Sequence, residues 1–149
     1  MRYTPCWKQI GISQDRYTEL LHFCRQYPEW KAEANSLLGI RAIKMDGQPH
    51  GNGVSDPVAM AAEKRDRLLA KIAIVDECAR AIADGGWYAA IIQNVCIGRS
   101  YTQMDRALMP TSDKNEYFRR RREFFELLNK KREGIIISYS MGNDSVLTC

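Results

Sequence analysis

The sequence predicts an all-α protein: a helical N-terminal lobe, a long central helix and a C-terminal helix-turn-helix. Three observations carry this. Apolar residues recur at three- and four-residue steps, capping residues and glycine or proline stops bracket those periodic stretches, and no strand candidate occurs before the run IIISY at 135–139. With 149 residues the chain has material for one folding unit, or for two small lobes sharing a core.

The N-terminal lobe, 1–44, opens on a mixed stretch that ends near Gly11. SQDRYTELLHFCRQY (13–27) reads as a helix capped by Ser13, with Tyr17, Leu20, Leu21 and Cys24 at helical spacing and Pro28 as its stop. EWKAEANSLLGI then places Trp30, Ala34, Leu37 and Leu38 on one side, with Gly39 as the expected end. MDGQPHGNGVSDP, with three glycines and two prolines, makes 45–56 a turn-rich connector. Its GNG lacks the spacing of a phosphate-cradling loop, and Asp46 and Asp56 are better explained by turns and caps than as a carboxylate pair.

Ser55 as N-cap and Pro57 in the first turn start a long linking helix, 57–84. Ala61, Arg65, Leu68, Ile72, Val75, Ala79 and Ile82 follow in alternating steps of four and three, the period of a coiled-coil seam. Such a seam allows a homodimer through 57–84; a helix packed onto its own domain makes the same pattern and is the commoner case.

Gly85 and Gly86 end this helix and open the helix-turn-helix region, 85–132. WYAAIIQNVCIG reads as an apolar helix stopped by Gly98; Ser100 caps a short helix over YTQMDRAL, MPTS (109–112) forms a tight turn, and Ser112 or Asp113 caps the last helix, 113–131. The remainder, 133–149, is a tail whose β-prone run has no second strand to pair with.

Charge is concentrated in that last helix. From Lys114 to Glu133 there are eight cations and four anions, an excess of four that equals the net charge of +4 of the whole chain. Five cysteines, odd in number and without a CxxC pair, and two histidines without zinc spacing imply reduced thiols and no bound metal. No run approaches the roughly 18 apolar residues of a membrane span, and the N-terminus does not read as a secretion signal. Hydrolase motifs such as HExxH and GxSxG are missing from the sequence, so no enzyme and no cofactor are expected.

On a helical wheel Tyr117, Phe118, Phe124, Phe125 and Leu128 fall in one arc, with Arg121 and Arg132 intruding. Opposite lie Asn115, Arg119, Arg122 and Glu126. Asparagine and arginine have the bidentate geometry that matches adenine and guanine edges, which makes Asn115, Arg119 and Arg122 the candidate base readers of duplex DNA. Arg99, Ser100, Tyr101, Thr111, Ser112, Lys114, Arg120, Lys130 and Lys131 are the candidate backbone contacts, Arg120 also pairing with Glu116. An ordinary charged face, with Arg119 paired to Glu123 and Arg122 to Glu126, is the competing reading.

Four stretches, YPEWKAEAN, DGQPHGNGVSDPVAMAAEKRDRLLAKI, the region beginning IIQNVCIGRSYTQM, and FRRRREFFELLNKKR, resemble the ArpU family of phage transcriptional regulators, related in plan to the RinA-type late activators. The resemblance covers roughly residues 27–132. It implies a DNA-binding region similar to region 4 of sigma factors, activation of late phage or prophage genes through host RNA polymerase, and a cytoplasmic location in the bacterial host. Asn115, Arg119 and the arginines through Arg122 fall where the family's final helix is expected. The alternatives are an oligomeric DNA-packaging protein of the small-terminase kind and a protein-only adaptor.

Overall fold

The computed structural model describes the backbone of residues 4–43 and 56–143 and the side chains of 4–38 and 56–133. Every regular element among them is helical: α1 (Cys6–Gln9), α2 (Gln14–Arg25), α3 (Tyr27–Ile43), α4 (Pro57–Ala81), α5 (Tyr88–Ile91) and α6 (Lys114–Asn143), with 3₁₀ and π turns between them. The glycine-rich stretch 45–55, with Ser55, Asp46 and His50, lies outside the described residues.

Local chemistry sets most boundaries. Ser13 accepts from the Arg16 amide and caps α2. A single residue, Gln26, separates α2 from α3, and Pro28 stands in the first turn of α3, where no amide is missed. Gly39 does not stop α3, which runs on to Ile43, since one interior glycine costs a helix only about 1 kcal/mol. Asp56, rather than Ser55, caps α4 by accepting from the Val58 amide.

α3 and α4 pair antiparallel: Tyr27 meets Asp76, Lys71 lies over the Trp30 ring, and Glu33 pairs with Lys64 at 2.6 Å. Leu68, Ile72, Val75, Ala79 and Ile82 are all buried in this chain's own core. The heptad-like seam from Leu68 to Ile82 is therefore occupied within this chain's own core, the commoner of the two readings of that period. One cluster runs from Leu20, Phe23 and Cys24 through Trp30 and Val75 to Phe124, Phe125 and Leu128, so the N- and C-terminal helices share a core.

α4 ends at Ala81 because Ala83 and Asp84 take positive φ ahead of Gly85, reversing the chain. α5 passes into a π-helical segment, Ile92–Ile97, and Gly98, at φ 92, closes it. The short helix expected over 100–108 is two 3₁₀ turns, Tyr101–Gln103 and Arg106–Leu108. Ser100 and Gln103 close the first on themselves in a capping box, Met104 turns extended with its side chain buried, and Asp105 caps the second. Two capped turns satisfy their amides locally, and a nine-residue stretch gains little from propagating a helix.

The end of the last helix is corrected as well: α6 does not stop at 131 but continues to Asn143, taking in the first part of the expected tail. Extending an existing helix needs no nucleation, whereas a strand among the described residues has none to join. No helix of the described residues is long and apolar enough to cross a membrane.

Candidate nucleic-acid interface

The first turns of α6 are fixed from inside. Tyr117, Phe124, Phe125 and Leu128 are buried, as their wheel positions require, and Phe118 is partly covered. Trp87 approaches Tyr117 at 6.3 Å, and Tyr101 lies tilted against Tyr117 at 4.9 Å and stacks on Phe118 at 6.2 Å, so the 86–98 and 100–108 segments both pack on this end of α6. The turn before it closes on Gly86, whose site for a Cβ lies 3.7 Å from Pro110 Cγ. Thr111 Oγ1 accepts from the Asp113 amide, and Asp113 Oδ1 accepts from that of Asn115, so Asp113 caps the helix.

The four consecutive arginines have four different surroundings. Arg119 is 54% exposed and meets Glu116 at 2.6 Å. Arg120 lies between two carboxylates, Nε to Glu116 at 2.9 Å and Nη1 to Glu123 at 3.0 Å. Arg121 points inward, where Nε donates to Asn94 Oδ1 and Nη2 to Tyr17 OH, both at 2.7 Å, and its guanidinium lies 4.9 Å from the centre of the Phe125 ring. Arg122 is half-buried beside α1 and has no carboxylate within 4 Å among the described residues. The Glu116 carboxyl is held below its ordinary range, first by the Arg119 hydrogen bond and then by the charges of Arg119 and Arg120.

Of the proposed base readers, Asn115 and Arg119 are exposed on one face of α6, while Arg122 stands at its edge against Thr4, Cys6 and Gln9. Arg99, Ser100, Tyr101, Ser112 and Lys114 gather near the start of α6: Tyr101 OH donates to the Ser112 carbonyl at 3.3 Å, and Lys114 lies 5.6 Å above the Tyr101 ring. Lys130 is exposed but about 24 Å along the axis from Lys114, at 1.5 Å per residue. Lys131 pairs with Glu77 of α4. Arg132 covers Phe23 at 4.1 Å, near Glu19.

The same end holds two features that single-helix reasoning missed. Arg25 Nε donates to the Val95 carbonyl at 2.8 Å and its guanidinium lies over Gly98, so α2 ties down the π turn that presents Arg99 and Ser100. The thiol of Cys6 in α1 lies near Arg121, Arg122 and Glu126; burial raises its pKa against the lowering effect of the two arginines. No local pattern announces either, because both are contacts between residues 70 or more apart in sequence. Comparison with protein-family models, with curated proteins and with solved structures finds no match to this chain.

Proposed function

We propose that this chain is a regulator of the phage or prophage type that binds duplex DNA through the exposed face of α6 and acts on transcription with host RNA polymerase. The observation that carries the reading is the pair Asn115 and Arg119, one helical turn apart and open to solvent on a helix whose opposite side is locked into the core by Tyr117, Phe124 and Phe125. A rigid helix offering an amide and a guanidinium fits a major groove, where these two groups read adenine and guanine. Arg99, Ser100, Ser112 and Lys114 beside its start supply backbone contacts, and Asn115 and Arg119 supply sequence preference.

The test is selection of bound sequences from random duplexes, repeated with Asn115→Ala and Arg119→Ala. Each variant is expected to relax preference at one position, worth about 1–3 kcal/mol for a good bidentate contact. Equal weakening on all sequences would make both residues backbone anchors, and wild-type protein that recovers no sequence and shows no salt-dependent affinity would refute duplex binding.

A further inference from the structure

We infer that the recess between α1 and α6 seats one backbone phosphate of the duplex, which makes Arg122 a phosphate ligand instead of a base reader; this rests on the duplex-binding reading above. The recess, about 50 Å³, is lined by Thr4, Cys6, Gln9, Phe118, Arg121 and Arg122. It has room for a few water-sized groups, enough for the non-bridging oxygens of a phosphodiester and too little for a nucleobase.

Charge and donors agree with this occupant. Arg121 spends Nε and Nη2 on Asn94 and Tyr17, which fixes its guanidinium at the inner wall. Arg122 is uncommitted to any carboxylate among the described residues, and Glu126, the nearby anion, makes no ion pair with it. The site thus has two cations against one anion. Gln9 Nε2 donates to the Thr4 carbonyl at 2.7 Å, which holds Thr4 against the site.

Position selects phosphate over base. Arg122 is about 4.5 Å along the axis from Arg119, at the edge of the stripe where α1 closes the space beside it. A helix in a groove roughly 12 Å wide has base edges ahead of it and phosphate walls on either side. The exposed centre of the stripe therefore meets bases, and its walled edge meets a strand.

Cys6 reports on the site, since it lines the recess and is partly exposed while Cys24, Cys78 and Cys96 are buried. The full chain is alkylated with iodoacetamide, alone and with a short duplex carrying the selected site, and modification is mapped by peptide mass spectrometry. Bound duplex is expected to slow Cys6 alkylation several-fold. Arg122→Gln should reduce the slope of log K against log salt by about 0.9 with base preference unchanged, and Arg122→Lys should restore the slope. Equal alkylation of free and bound protein, or a change at one base pair with the slope kept, overturns the inference and leaves duplex binding standing. Inorganic phosphate protecting Cys6 as fully as duplex at equal ionic strength also overturns it, in favour of a free-anion site. Wild-type protein that binds no duplex removes the duplex-binding reading itself. The protection measurement needs no variant, so a misfolded Arg122→Gln still leaves a result.

Discussion

Arg119 and Arg121 are two residues apart in one run of arginines, yet truncating them should have very different consequences for stability. Arg121 makes two charge-assisted hydrogen bonds at 2.7 Å, to Asn94 and Tyr17, and its guanidinium lies over Phe125. Bonds to a charged group contribute about 1.5–3 kcal/mol each. The site is only part-buried, so water replaces some of that loss, and about 2–3 kcal/mol is expected for Arg121→Ala. Arg119 is 54% exposed and makes a surface pair with Glu116, a class worth roughly 0–1 kcal/mol, so Arg119→Ala should fall within about 0.5 kcal/mol of wild type. Urea denaturation followed by far-UV circular dichroism measures both. Arg121→Lys should recover little, because an ammonium cannot span Asn94 and Tyr17 with a planar fork. Equal stabilities for Arg119→Ala and Arg121→Ala would refute the inward placement of Arg121 and the packing of α2 on α6 with it.

Gly98→Ala should cost roughly 2 kcal/mol in urea denaturation, because φ is +92 and a Cβ would lie 2.7 Å from Arg25 Nη1, whereas Gly11→Ala, at φ +78 with open space, should cost only the backbone term of about 1 kcal/mol. Alkaline titration followed by phenolate absorbance should find Tyr27, Tyr88 and Tyr117 ionising late. Burial first, then for Tyr27 its hydrogen bonds to Tyr88 and Asp76 and for Tyr88 its hydrogen bond to Asp76, raise these groups above the usual 10.0, Tyr117 to about 12. The folded chain keeps protons that the unfolded chain releases, so their contribution is complete below pH 10 and is lost as pH rises towards 12 and beyond. Asp76→Asn should bring Tyr27 and Tyr88 ionisation to lower pH and leave Tyr117 unmoved. Glu116 runs the other way: its lowered carboxyl contributes above the ordinary glutamate range and the contribution disappears as pH falls through the lowered value, an acid-limb effect that Glu116→Gln should abolish.

The all-helical class and several boundaries were readable because they depend on short-range chemistry. Ser13 and Asp113 are caps whatever lies around them, Gly98 closes a turn that needs positive φ, and the spacing from Leu68 to Ile82 marks a buried face. What that face meets was not readable, since a seam against α3 and a seam against a second chain have the same period. The 100–108 segment was misjudged for a local reason: Asp105 is as good a cap as Ser100, and two caps five residues apart describe two turns better than one helix. The end of α6 was not readable, because no capping or stop residue marks 131 and β-branched residues extend an established helix at small cost.

The candidate site was legible in outline and not in charge, and this bears on how strongly the chain should respond to salt. Successive helix positions step by about 100°, so four arginines in a row point in four directions and cannot share one role. Arg121 faces inward, Arg120 is held by Glu116 and Glu123, Lys131 by Glu77, and Arg132 covers Phe23. Lys130 lies too far along α6 to join the same contact. With Arg119 assigned to a base, Lys114 and Arg122 remain, with Arg99 from the adjacent turn, and at about 0.9 per phosphate neutralised the slope of log K against log salt should be about −3. A slope near −7, the value if all eight cations of the segment engaged, would mean that the ion pairs of Arg120 and Lys131 open on binding and that the free surface is a poor guide to the bound one. A slope near zero would leave the exposed face of α6 as an ordinary wet surface.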